Sequence, residues 1–212
     1  MKHLSAVFVS GPPASGKTTL ARGLARRLNM SFIDLDTLSE PFLRPYLLRL
    51  PGYKDSQEYR DSMRDREYEA LMRLVRDNLE VGIGCVAVAP FSKERSSAGF
   101  PQSYWTGLRA AGAEAMPKPE PGMAVLSVGV VIRIDPEQQL RNLQARGATR
   151  DIKKIERWDE YSRPGAGRIT ADEDSWAVDV KITVEYEDLK TNFAGQIERI
   201  AASINQSVQK PE

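Results

Sequence analysis

Gly11-Pro12-Pro13-Ala14-Ser15-Gly16-Lys17-Thr18 follows the apolar run Ala6-Val7-Phe8-Val9 and precedes a stretch in which Leu20, Leu24 and Leu28 recur, with Ala21 and Ala25 beside them. The run before it reads as a buried strand, and the spacing after it as an amphipathic helix. The eight residues fit G-x-x-x-x-G-K-[ST], so the chain turns from strand to helix through a phosphate-cradling loop. Backbone N–H groups and the positive end of a helix dipole converge at such a turn, which suits an anion. Gly11 and Gly16 allow backbone angles and close approaches that a Cβ would block. Lys17 offers a point charge to β- and γ-phosphates, Thr18 a hydroxyl to Mg²⁺, and Thr19 a donor near the α-phosphate. Gly11, Pro12, Pro13, Ala14, Ser15, Gly16, Lys17, Thr18 and Thr19 are therefore the expected binding segment for a nucleoside triphosphate.

The 212 residues suit one domain, and 41% hydrophobic with 28% charged residues is ordinary for a globular chain. A net charge of +1 supplies no general field toward nucleic acid or a membrane. One cysteine, Cys85, excludes an intramolecular disulfide framework and fits a reducing compartment. One histidine, His3, excludes a multi-histidine metal site. The apolar run near the start is too short for a signal peptide and leads straight into the loop, and no apolar stretch is long enough to cross a membrane. A cytoplasmic protein, monomeric or homodimeric, is expected.

Further strands are expected at Ser31–Asp36, Cys85–Ala89, Val128–Ile134 (within Val125–Ile134) and Val178–Val184. Three prolines, Pro41, Pro45 and Pro51, leave room only for short helical pieces between Leu38 and Pro51. One long helix is expected from about Ser56 to Glu80, another around Gln102–Ala111, and a stiff connection through Pro117, Pro119 and Pro121. Asp135-Pro136-Glu137 is a capped helix start, and Gly147 stops that helix after Arg146. Thr149–Tyr161 reads as partly helical, Arg163–Ser175 as a loop, and a last helix carries Phe193, Ile197, Ile200 and Ile204, with a frayed tail after Gln206. Strands alternating with helices imply a parallel sheet covered on both faces, with ligands at the carboxyl ends of its strands.

That rule selects Asp34 and Asp36. On a strand their i, i+2 spacing puts both carboxylates on one face beside the loop. Transfer of a γ-phosphoryl group to an alcohol needs one carboxylate to orient the hydroxyl and an acidic ligand for Mg²⁺. Asp36 is assigned to the hydroxyl and Asp34, with Thr18, to the metal; the other reading makes one of the pair the cap of a helix starting near Thr37. The third strand ends Ala89-Pro90-Phe91, without the acid that motor and switch ATPases place there, which directs attention back to Asp34 and Asp36. Cys85 reads as a buried, inert thiol. Arg146 and Arg150 are candidates to close over phosphates or stack on adenine, or else belong to a solvated face, as Arg141, Lys153 and Lys154 do. Arg44, Arg60, Arg64 and Arg95 are candidate acceptor contacts.

Gly11–Thr19, Phe32-Ile33-Asp34-Leu35-Asp36, Ala89-Pro90-Phe91 and Leu140–Arg150 together resemble the small P-loop kinases of the nucleoside-monophosphate-kinase superfamily, shikimate kinase, gluconate kinase and chloramphenicol phosphotransferase among them, within the group of AAA-family ATPases. The resemblance implies a three-layer α/β/α sandwich with five parallel strands in the order 2-3-1-4-5. It also implies an acceptor-binding lobe over about 37–80, a mobile lid over about 147–168, Asp36 as base and Arg146 facing adenine or phosphate.

The expected function is ATP- and Mg²⁺-dependent phosphorylation of a hydroxyl on a small molecule such as a sugar, an antibiotic or another metabolite, with Asp36, Lys17 and Arg146 catalytic. Two alternatives keep the fold. A polynucleotide 5′-hydroxyl kinase would want a basic, aromatic strip that the near-neutral chain lacks. A nucleotide-dependent regulator or toxin-like protein would want the missing acid after the third strand.

Overall fold

The computed structural model describes residues 2–50, 53–96, 99–101, 123–163 and 176–209. Five strands, β1 (Lys2–Ser10), β2 (Ser31–Asp34), β3 (Cys85–Val88), β4 (Met123–Arg133) and β5 (Val180–Glu185), form one sheet in the order β2-β3-β1-β4-β5, every neighbouring pair parallel. The helices are α1 (Lys17–Leu28), α2 (Leu35–Arg49), α3 (Gln57–Ser62), α4 (Arg64–Glu80), α5 (Pro136–Arg146), α6 (Ile152–Glu156), α7 (Trp158–Tyr161), α8 (Tyr186–Thr191) and α9 (Phe193–Gln209).

The alternation along β1 sorts two cores. Leu4, Ala6 and Phe8 face one side, where Tyr68, Leu71 and Val75 of α4 cover them with Cys85 and Ala87 of β3. Val7 and Val9 face the other, against Leu20 and Leu24 of α1 and Ile200 and Ile204 of α9. Each of these apolar strand residues thus has packing partners on its own face, and the period of two decides which. Val7 pairs with Val86 on one side and Val128 on the other, so β1 is the central strand. The order turns back at β1, which places a crevice at its carboxyl end.

Several boundaries differ from the sequence expectation. The second strand ends at Asp34, not Asp36, because Asp34 Oδ1 accepts from the N–H of Asp36 at 2.9 Å and of Thr37 at 3.3 Å and so caps α2. The two carboxylates are therefore adjacent through a helix start, not on one strand face. Pro41 and Pro45 sit inside the fifteen-residue α2. Each removes one N–H from the helical ladder, and burial of Leu43 against Tyr53 and Tyr59 offsets the loss. The expected helix from Ser56 to Glu80 is two helices divided at Met63, the first capped by Ser56. β4 begins earlier than expected, since it pairs with β1 from Lys2 onward, and β5 spans Val180–Glu185. The tail expected to fray is helical through Gln209. The helix expected around 102–111, the connection through 117–121 and nearly all of the 163–175 loop lie outside the described residues. α5 keeps its expected bounds, with Asp135 accepting from the N–H groups of Glu137 and Gln138.

Candidate phosphoryl-transfer site

A cleft of about 1550 Å³ opens at the carboxyl ends of the strands, and the loop from Gly11 to Thr19 forms its floor. Gly11 has φ +154, and a Cβ there would meet the Ile132 carbonyl at 3.0 Å; Gly16 has φ +84, which a side chain resists. Ala14 occupies the left-handed region at φ 60 despite its side chain. Lys17 is the half-buried cation of the floor, and its Nζ donates to the Pro12 carbonyl at 2.7 Å. Burial lowers its pKa to about 8; Asp36 and Asp34 push it back up, and Arg146 and Arg150 push it down.

Thr18 Oγ1 donates to Asp34 Oδ2 at 3.0 Å, so the two expected metal ligands are neighbours at the end of the loop. A hydroxyl and a carboxylate form a hard oxygen pair that fits Mg²⁺, an ion that keeps several waters and takes few protein ligands. Among the described residues no three His, Cys, Asp or Glu side chains are grouped to cage a metal.

Asp36 stands on the first turn of α2 with its carboxylate divided between two cations. Lys54 Nζ lies 3.2 Å from Oδ1, and Arg150 Nη1 donates to Oδ2 at 2.8 Å. Partial desolvation by the cleft walls would raise its pKa although the side chain is largely exposed; Lys54 and Arg150 outweigh that and hold it below the ordinary aspartate value. Lys54 also meets the buried Glu67 at 3.5 Å, whose other oxygen accepts from Tyr59. Burial, reinforced by that Glu67 bond, raises the Tyr59 pKa, so the phenol stays a donor. Arg146 donates from Nε at 2.8 Å and Nη2 at 2.5 Å to Asp151, which is 1% exposed. The guanidinium is thus aimed by a buried carboxylate while it lines the cleft.

The four arginines expected at the acceptor fare differently. Arg44 lines the cleft from α2, 3.8 Å from Glu40. Arg64 lines it as well, but its fork is engaged by Glu94 in two 2.9 Å bonds and its plane lies 4.4 Å over the Tyr68 ring. Arg95 is a buried lining residue. Arg60 is not among the lining residues, and its guanidinium bonds Gln57. The third strand ends as expected without an acid: Ala89 and Pro90 line the cleft, Ser10 donates to the Pro90 carbonyl at 2.7 Å, and Phe91 is turned into the core.

Sequence reasoning passes over Lys54, Glu67, Glu94, Asp151, Gln139 and Asn142. Gln139 carries a detectable signal, since it shares the buried stripe of α5 with Leu143 and is itself fully buried. A polar side chain on an apolar stripe has to find a partner. Lys54 and Glu94 carry no such mark, because their partners come from other elements.

The sheet order, the glycine-hinged loop at the carboxyl end of the central strand and the Thr18–Asp34 oxygen pair define a P-loop α/β domain. The chain belongs to the AAA domain family, whose model matches residues 7–163. It shares its fold with a candidate kinase from Chloroflexus aurantiacus (TM-score 0.54, 16% identity, 99% of this chain and 98% of that one). It is similar also to a sugar kinase from a Janibacter species (0.51, 15%, 100% and 99%) and to shikimate kinase from Acinetobacter baumannii in complex with shikimate (0.51, 17%, 98% and 96%). At these identities the likeness is one of fold. No protein of curated function matches the chain in sequence. Among the described residues no helix is long and apolar enough to cross a membrane.

Proposed function

We propose that the protein is a phosphotransferase that moves the γ-phosphoryl group of ATP to a hydroxyl of a small molecule. The observation that carries this reading is Asp36: a carboxylate kept ionised by Lys54 and Arg150, in the same cleft as the loop and near enough to Lys17 to perturb its proton. ATP would lie on Gly11–Thr19, with Thr18 and Asp34 holding Mg²⁺, which supplies charge neutralisation at the phosphates when bound. Residues after α2 begins would form the acceptor lobe, and those after Gly147 the lid.

In the reaction the acceptor oxygen bonds to the γ-phosphorus as the bond to the β–γ bridging oxygen breaks, ADP leaves and the hydroxyl proton passes to Asp36. A low pKa makes Asp36 a weak base, suited to orienting the hydroxyl and taking its proton late, as a loose transition state requires. Lys17 and Arg146 face the charge that moves to the leaving phosphate. Arg150 has to exchange Asp36 for the acceptor or the phosphates as the acceptor enters. Arg64 is already matched by Glu94 and Lys54 by two carboxylates, so these two cations offer little to an anionic acceptor.

ADP release from Mg·ATP over a panel of small hydroxylated compounds, followed by ³¹P NMR of the product, tests the reading. A new phosphomonoester made from one compound class is expected. Nucleotide binding with no phosphorylated product across sugars, polyols, nucleosides and secondary metabolites would point instead to a nucleotide-dependent regulator.

A further inference from the structure

Three successive carbonyls of the loop are each taken by a side chain. Pro12 accepts from Lys17 Nζ at 2.7 Å, Pro13 from Gln139 Nε2 at 3.1 Å and Ala14 from Asn142 Nδ2 at 3.0 Å. The last two donors lie 126 and 128 positions away and both come from α5. Gln139, Asn142 and Arg146 recur at i, i+3 and i+7, so one face of α5 carries them all. Asn142 is itself oriented, since its Oδ1 accepts from Gln138 at 2.8 Å.

In a planar trans peptide the N–H of one residue points opposite to the carbonyl before it. Fixing the Pro13 and Ala14 carbonyls onto α5 therefore directs the N–H groups of Ala14 and Ser15 the other way, into the turn; the Ser15 N–H spans it to the Pro12 carbonyl at 3.4 Å, a long bond. The Ala14 peptide needs such a tether, because φ 60 is a strained conformation for a residue with a Cβ. Residues 15 and 16 lead directly into α1, so the orientation of these two peptides sets which groups meet the phosphates.

We propose that Gln139 and Asn142 are positioning residues that hold the phosphate loop in its anion-accepting shape from the neighbouring helix. The same helix ends on Arg146, so loop and arginine are both positioned by one helix, which stops at Gly147 with φ 60. The proposal rests on nucleotide binding at this loop and is independent of the acceptor.

The test is calorimetric titration of the full chain with Mg·ATP in four forms: wild type, Asn142→Leu, Gln139→Met and, as a control, the exposed Gln144→Ala. The two apolar isosteres remove only the amide. Each is expected to weaken binding about tenfold, the effect of one lost hydrogen bond on a strained turn, while Gln144→Ala binds as wild type. Hydrogen exchange across residues 11–16 without nucleotide gives a second readout that tolerates lower stability. It is expected to quicken in both isosteres relative to the exchange of β1. Wild-type binding with unchanged affinity and loop exchange in both isosteres would overturn the positioning role and leave the nucleotide site standing. No binding by the wild type would remove both.

Discussion

Arg150 reaches back 114 positions to set its Nη1 2.8 Å from Oδ2 of Asp36, so an ion pair fastens the segment after Gly147 to the first turn of α2. Both side chains are more than half exposed, at 59% and 57%. A pair so exposed contributes little to folding, about 0.2–1 kcal/mol. Arg150→Ala should shift the urea midpoint only slightly, and less still at 1 M salt, where screening is short-ranged. Limited proteolysis should nonetheless cut the chain faster just beyond Gly147. A large loss of stability with unchanged proteolysis would assign Arg150 to the fold rather than to closure.

Asp151 behaves differently because it is buried. It accepts two bonds from Arg146, and Asp151→Asn removes its charge while leaving its shape. Weakening bonds to a charged group costs about 1–3 kcal/mol, measurable by denaturant unfolding. Nucleotide affinity should fall in parallel, as Arg146 loses its aim. Intact affinity in a destabilised variant would make Asp151 a purely structural anchor.

The partly desolvated ammonium of Lys17 gives a pH dependence with a defined sign. Its pKa in the free protein is lowered to about 8, and phosphates bind the protonated form. Affinity for Mg·ATP should be level below pH 8 and fall as pH rises above it, with one proton taken up on binding at pH 9. Calorimetry at pH 9 in two buffers of different ionisation enthalpy reads that uptake directly. Flat affinity from pH 7 to 10 would contradict it. The stability of the free protein moves oppositely: the group is charged in both states below pH 8, and folding gains as Lys17 loses its proton in the folded chain between about 8 and 10.5.

Glu94 matches Arg64 in two bonds while only 4% of its side chain is exposed. Glu94→Gln leaves a cation with 14% exposure partly unmatched and should destabilise the fold by about 2–4 kcal/mol. It should also improve acids over their neutral esters as acceptors or competitive inhibitors. An unchanged preference would remove Arg64 from the acceptor side.

The unit from β1 through α1 is legible in the sequence because strand period, glycine spacing and helical stripe agree within residues 6–28. The Asp135 cap and Gly147 stop of α5 are legible for the same reason: caps are local. Asp34 and Asp36 are found by position, yet their geometry is misjudged, because a carboxylate able to lie on a strand face can equally cap the helix that replaces it. The division at Met63 and the continuity of α2 through two prolines depend on packing around Leu43, Tyr53 and Tyr59, which no local spacing encodes. Lys54, Glu94, Asp151 and the α5 amides escape notice because each acquires meaning only from a partner on another element.

Asp36 is proposed to serve the acceptor and not the nucleotide. The most direct test compares wild type with Asp36→Asn in transfer of labelled γ-phosphate from Mg·ATP to the acceptor found by the panel, alongside Mg·ATP affinity. Transfer is expected to fall by at least about 10²-fold, the usual scale for a general acid–base group, with affinity within about threefold of wild type. Transfer at the wild-type rate, or loss of ATP binding in step with turnover, would contradict it.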